Sequence, residues 1–342
     1  MFKFSILTLS FFVLFSKKSA SQNALIEKYY LLINEAELSI INKQFNKSDS
    51  CYFAAFNLNF TPFNKDLLNN IRTSSNFEHL DFTIKKLISR GLSLKVLRDE
   101  KNLKKYFDSE LGKKLIQSEK KIKKNYNEKL RASVDSLNFL DQKYRKYDDC
   151  YVKYKDEIRY IDSCNGAWLM NYFNKYGFPS EEELGITEIN EISALQILIL
   201  HHNNGARFRA FNFSKHIWDA IITGKINNKF GLILYLRQGN DDVYGFELSL
   251  LIPVLDDKSK TKTAKNSKIY ISKISQEDSL MFEQNRKKLF IEPINLYYKK
   301  QYAQFMANEN NNVVFTYTGV EVFHFNEKSS YNEFIKPLVL FN

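Results

Sequence analysis

Glycine and proline are scarce in this chain, with 11 and 5 among 342 residues. So few turn-forming residues in a long chain predict long elements and favour helices. Cysteine is limited to Cys51, Cys150 and Cys164, an odd set that permits at most one bridge within the chain. Either all three are thiols packed as small hydrophobes, or Cys150 and Cys164 clip two helices together. No phosphate loop, nucleophile elbow, zinc spacing or dinucleotide fingerprint is present. Without these signatures no metal and no cofactor is expected, and no reaction class is selected. Beyond the first residues, no apolar run approaches the roughly 20 residues that span a bilayer.

What is present begins with composition. At 44% hydrophobic and 15% aromatic the chain can bury a sizeable core, and its length favours two domains over one. The net charge of +11 goes with an excess of Lys, Asn, Ile, Phe and Tyr. All five are specified by A/T-rich codons, so the charge reads as genome-wide bias and no nucleic-acid partner is expected. Three of the positive charges lie in residues 1–21, which read as a signal peptide: a short positive lead, the apolar run Phe4 to Phe15, and small residues at Ser19-Ala20-Ser21. Lys17 and Lys18, after the apolar core, leave an uncleaved anchor as the alternative. The mature chain is then periplasmic or secreted, with no transmembrane segment.

Ala24 to about Gln44 predicts a helix whose face carries Leu25, Tyr29, Leu32, Ala36 and Ile40. Further helices are expected from Lys47 to Asn57, Lys65 to Ser74 and Phe77 to Arg90, the last stopped by Gly91. In the second, Cys51, Phe53, Ala54 and Ala55 are expected to pack on the first. The spacing Ala36, Phe45, Tyr52, Ala55, Phe56 resembles a degenerate tetratricopeptide hairpin. That resemblance implies helical hairpins over residues 22–110 and another envelope protein as their partner. A charged connecting helix follows at 111–136, its lysines from Lys113 to Lys124 forming a solvated face.

The central stretch holds most of the distinctive polar residues. Asp141-Gln142 with Arg145, Asp162 with Asn165, Gly177-Phe178-Pro179 before Gly185, His202, Gly224, Arg237, Tyr244-Gly245 and Asn285-Arg286 together resemble a bacterial domain of unknown function. That family is frequent in exported proteins, sometimes behind tetratricopeptide-like helices, and carries no established activity. Where it tends to have Asp-Arg after the last core helix, this chain has Leu236-Arg237. Were the missing acid catalytic, this member would be impaired. Ser180 is placed to cap a helix, with Glu182 and Glu183 in its first turn. His201 and His202 end an apolar helical run, and adjacent residues point about 100° apart, so only one can face inward.

An inward His202 beside Asp162 or Asp141 would make a general base held by a carboxylate, with Arg145 or Arg237 as clamp. Its bland counterpart is a core histidine satisfied by a hydrogen bond. Arg145, Arg237 and Arg286 either pair with acids or converge as an anion pocket, with Asp141, Gln142, Asn165 and Tyr244 as further ligand-binding candidates. Beyond Lys229, Gly231 to Leu236 and Val243 to Val254 are β-prone, Lys258 to Lys268 is a polar loop, and Lys268 to Ile274 alternates as a strand. Glu277 to Lys288 and Tyr297 to Ala307 read as helices, and Val313 to Phe325 as a hairpin turning at Thr318-Gly319. The expected architecture is mainly α: tetratricopeptide-like hairpins packed on a helical domain at 137–300, with a small β component and a C-terminal helix and hairpin at 301–342. Two functions fit: an exported binding or scaffolding module, or a hydrolase of an anionic or cell-envelope substrate.

Overall fold

Helices dominate the chain, and one small sheet lies toward its C-terminal end. The computed structural model describes residues 3–189, 193–203, 211–255, 268–306, 313–316, 320–325 and 328–341. Two compact units result, one of Met1–Ala36 with Phe45–Asn240, the other of Glu37–Gln44 with Asp241–Asn342. The division after Asn240 cuts through the stretch 137–300 that the sequence pattern treats as one domain. Among the described residues no helix is long and apolar enough to cross a membrane.

The first unit runs α1 (Lys3–Ile41, its end belonging to the second unit), α2 (Phe45–Phe56), α3 (Asn64–Thr73), α4 (Phe77–Ser89), α5 (Leu94–Arg98), α6 (Lys104–Asp108) and α7 (Glu110–Ser118). It continues with α8 (Glu128–Arg145), α9 (Cys150–Lys153), α10 (Lys155–Tyr176), α11 (Glu181–Leu184), α12 (Ala194–Asn203), α13 (Ser214–Ile222) and α14 (Asn228–Arg237). The N-terminal helices pack against one another. The buried stripe of α1 is Ile26, Tyr29, Ile33, Ala36 and Ile40, with Leu25 and Leu32 only half-buried at its edge. Likewise α2 buries Tyr52, Ala55 and Phe56, while Ala54 is exposed. The core of α2, α3 and α4 also holds a satisfied polar web. Asp49 accepts from Asn70 at 3.1 Å and lies 2.5 Å from His79 Nδ1, and Thr83 donates to Asn70 at 2.8 Å.

Glu181 does the most to position these helices. Its Oε2 accepts the Asn64 N–H at 2.8 Å and its Oε1 the Asn227 N–H at 3.2 Å, so one carboxylate meets the starts of α3 and α14. Ser180 and Glu183 form the capping box that starts α11. Gly185 ends it at φ +73°, where a Cβ would stand 2.5 Å from the Arg90 carbonyl oxygen.

Two expectations fail in this unit. The connecting helix at 111–136 is broken: α7 stops at Ser118 and α8 starts at Glu128. The intervening backbone is docked, with the Asn125 N–H on the Ser89 carbonyl at 2.7 Å and Asn127 on Glu183 at 2.9 Å. Lys113, Lys114, Lys120, Lys121, Lys123 and Lys124 are exposed. Gly231 to Leu236 is helical, within α14, because Asn227 caps that helix by accepting from Lys229 and Phe230. A continuous apolar run does not by itself distinguish a buried helix from a strand.

The second unit contains β1 (Leu250–Leu255), β2 (Tyr270–Ser272), α15 (Gln276–Lys288), α16 (Ile294–Met306), β3 (Val320–Phe325), α17 (Lys328–Ile335) and β4 (Leu338–Leu340). The sheet order is β3-β1-β2-β4, parallel between β1 and β3 and antiparallel elsewhere. Val313 to Phe325 therefore does not form a local hairpin among the described residues. Its strand aligns with β1 from Leu250↔Val320 to Leu255↔Phe325, and the Thr318-Gly319 turn lies outside those residues. The polar loop from Lys258 falls outside them too, up to Lys268. Leu250, Ile294 and Tyr298 make the local core under the sheet. Beside them Lys300, itself fully buried, pairs with Glu37 at 2.5 Å and Glu292 at 3.6 Å. That cluster was legible in principle: Glu37 interrupts the apolar stripe of α1 between Ile33 and Ile40.

Glu181→Gln is expected to lower stability by about 1–3 kcal/mol, because an amide has one acceptor oxygen for two backbone donors. Thermal unfolding of the variant, with circular dichroism to confirm helix content, checks it.

Candidate functional site

The central polar residues meet where α8, α10 and α12 pack together. Asp141, Gln142 and Arg145 lie on the last turns of α8, and the i, i+4 spacing puts Asp141 and Arg145 on one face. Arg145 Nη1 donates to Asp141 Oδ1 at 2.7 Å, and Nη2 to both oxygens of Asp162 on α10 at 2.8 Å. Asp141 Oδ2 receives Gln142 Nε2 at 2.7 Å and lies 2.6 Å from His201 Nδ1 on α12. Gln142 and His201 thus meet the same carboxylate oxygen, while Arg145 takes the other. Asp141 is 2% exposed. Burial pushes the Asp162 carboxyl up from its ordinary value, against the pull of Arg145.

The histidine held by a carboxylate is thus His201. His202 is the inward-facing member of the pair, as 100° spacing demands, but it takes a different place. Its ring packs beside Phe211 and Phe213, with centroids 5.6 and 5.3 Å away. Neither ring nitrogen meets a well-formed hydrogen-bond partner among the described residues; backbone at Asp162 and Phe211 supplies its polar surroundings. The Asp162 carboxylate that was to orient His202 is engaged on Arg145 instead. Gly166 makes the seat possible, since a Cβ there would be 2.7 Å from His202 Cε1 and 2.6 Å from Phe211 Cδ2. Asn165, buried on α10, reaches the Leu137 carbonyl of α8 at 3.5 Å.

Arg145 and Arg237 lie in the first unit and Arg286 in the second. Arg237 is exposed at the end of α14. Arg286 belongs to the second unit and is fully buried, its Nε on the Glu292 carbonyl at 2.7 Å and its Nη1 on the Tyr244 carbonyl at 3.0 Å and that of Gly245 at 3.3 Å. Its guanidinium lies over the Tyr297 ring, 4.6 Å from the centroid. Asn285 adds a bond to the Val243 carbonyl at 2.9 Å, so Asn285-Arg286 pins the backbone of Val243, Tyr244 and Gly245. Glu283, on the same helix, accepts the Ile294 N–H at 2.9 Å. Cys51, Cys150 and Cys164 are free thiols, so the Cys150–Cys164 clip is not formed. Among the described residues no three histidine, cysteine or acidic side chains are grouped to hold a metal.

Comparison of the chain with known protein families, with characterised proteins and with solved structures finds no match in any of the three.

Burial lowers the His202 pKa below its ordinary 6.5. A base with a depressed folded-state pKa binds protons better when unfolded, so its contribution is present above 6.5 and lost as pH falls through the lowered value. Wild type is therefore expected to lose stability below pH 6.5 more steeply than His202→Gln, measured by denaturant unfolding across pH. Gly166→Ala is expected to cost about 1–3 kcal/mol through overpacking, read in the same assay at neutral pH.

Proposed function

We propose that this chain is an exported envelope protein that acts as a binding or scaffolding module, its central charged cluster locking three helices in register. One observation carries the reading. Arg145 is closed on itself, with both terminal nitrogens occupied and two carboxylates facing one guanidinium. Such a cluster has no spare positive charge with which to recruit a phosphate or a carboxylate. The leader pattern at 1–21 and the motifs resembling the exported family support the envelope location. The N-terminal helices are the expected face for another envelope protein.

A second reading, hydrolysis of an anionic or cell-envelope substrate, is favoured by His201, whose Nδ1 sits 2.6 Å from Asp141 as in a general base with its orienting acid. Against it, no serine, threonine or cysteine among the described residues is hydrogen-bonded to that imidazole.

Arg145→Ala decides between them. A loss of about 3 kcal/mol or more in unfolding free energy is expected, because buried Asp141 and half-buried Asp162 are left without their cation. Unchanged or raised stability, the behaviour of catalytic groups held at a cost to the fold, would overturn the scaffold reading. In the same assay inorganic phosphate and a dicarboxylate are expected to leave the wild-type midpoint unmoved, since neither finds a site to bind.

A further inference from the structure

We infer that the lysine-rich surface at residues 113–124 docks this chain peripherally on an anionic lipid bilayer. Half of those residues are Lys113, Lys114, Lys120, Lys121, Lys123 and Lys124, and Glu119 is the single acid among them. Lysine and arginine together make 50 of 342 residues, which would put about two in a stretch of this length, so the run exceeds the basic bias of the chain as a whole. All six side chains are exposed. On α7, Lys113 and Lys114 lie opposite the buried Gly112 and Leu115, as 100° spacing requires. Glu119 keeps a helical backbone, φ −48° and ψ −48°, and leads into one further turn at Glu119–Lys121. Lys120 and Lys121 therefore follow Lys113 and Lys114 by about two turns, roughly 10 Å along the same side. The backbone beneath is fixed at both ends. Ser109 caps α7 by accepting the Gly112 N–H at 3.3 Å, and the Asn125 N–H is held by the Ser89 carbonyl at 2.7 Å.

Charge calls for an anionic partner, and composition selects which. Lys113 and Lys124, at the two ends, meet Glu110 at 3.4 Å and Glu128 at 3.0 Å. Lys114, Lys120, Lys121 and Lys123 meet no acid among the described residues, so their charge is uncompensated. Protein interfaces are poor in lysine and favour the planar fork of arginine, and this surface has no arginine. Binding of a nucleic-acid strand draws on rings that stack with bases. Tyr126, the nearest ring in sequence, is half-buried and already meets Lys124 Nζ at 5.7 Å and the Arg131 guanidinium at 5.1 Å. A bilayer needs neither feature. Its anionic headgroups attract clustered lysines through the surface potential, without a shaped pocket. Ile116 and Ile122, half-buried beside the lysines, add the shallow apolar contact that the headgroup boundary accepts. Such docking adds a membrane surface to the scaffold role and does not depend on that role.

The test is co-sedimentation of the full chain with vesicles of phosphatidylcholine alone and with vesicles in which part of it is replaced by phosphatidylglycerol. Binding is expected only with phosphatidylglycerol, and is expected to be lost when salt is raised from about 0.1 M to about 1 M, which shortens the screening length from about 10 Å to about 3 Å. Lys120→Gln with Lys121→Gln is expected to weaken partitioning about 25-fold, at about fivefold for each lysine, with helix content unchanged. Lys153→Gln with Lys215→Gln removes the same charge from exposed lysines on α9 and α13, and is expected to leave binding unchanged. Equal binding to both kinds of vesicle, which the apolar run Phe4 to Phe15 would give by itself, would overturn the proposal. So would no binding to either, or a control pair that weakens binding as much as the Lys120 and Lys121 pair. Retention of a single-stranded oligonucleotide without vesicle binding would assign the surface to nucleic acid instead. Vesicle binding is read independently of the Arg145 stability measurement, so either result stands without the other.

Discussion

The carboxylate of Glu181 holds the beginnings of two helices that lie far apart in sequence, and the first unit is organised around that contact. Each helix start leaves backbone N–H groups without an internal partner. A chain of many helices has many such starts to satisfy. Six in the first unit are handled locally, by Asn76, Ser93, Ser109, Asn127, Ser180 and Asn227 side chains. The start of α3 has no such cap, because its cap position is Phe63. Glu181 supplies one from 117 residues away. Burial pushes its carboxyl above the ordinary range, opposed by the two backbone donors and by Arg90, so the contact is held by the surrounding packing and costs something to keep.

Both units apply the same rule to charge, that a buried ion is kept only with its partners. Arg145 is matched by two carboxylates and Lys300 by Glu37 and Glu292, while Arg286 uses backbone carbonyls and an aromatic face. Replacing such groups by apolar ones is often neutral, whereas removing one partner is severe. Their contribution is therefore to position elements. Arg145 sets the register of α8 against α10, His201 ties α12 to the same carboxylate, and Arg286 fixes the loop at Tyr244.

α10 connects these constraints to the functional reading. Its inner face supplies Asp162 to the charged cluster, Asn165 to the Leu137 carbonyl and Gly166 to the seat of His202. The charge-assisted bonds on that face hold α10 against α8. The residue types that invite a catalytic interpretation are engaged there in holding α8, α10 and α12 together.

Local signals carried a good part of this structure. Helical content followed from the scarcity of glycine and proline, the start of α11 from Ser180 and Glu183, and the inward turn of one histidine from 100° spacing. Each of these depends on residues within about four positions of one another, over which side chains and backbone communicate directly. The Asp141–Arg145 pair, at i, i+4, belongs with them. Tertiary packing decided the rest. It made Gly231 to Leu236 a helix, set Val320 to Phe325 beside β1, sent Arg237 to the surface, and gave the carboxylate to His201 instead of His202. Those outcomes rest on contacts such as Arg145 to Asp162, Asp141 to His201 and Glu181 to Asn64, separated by 17, 60 and 117 residues. A charge in the sequence states only that it needs a partner, and which partner it meets is settled when the helices pack.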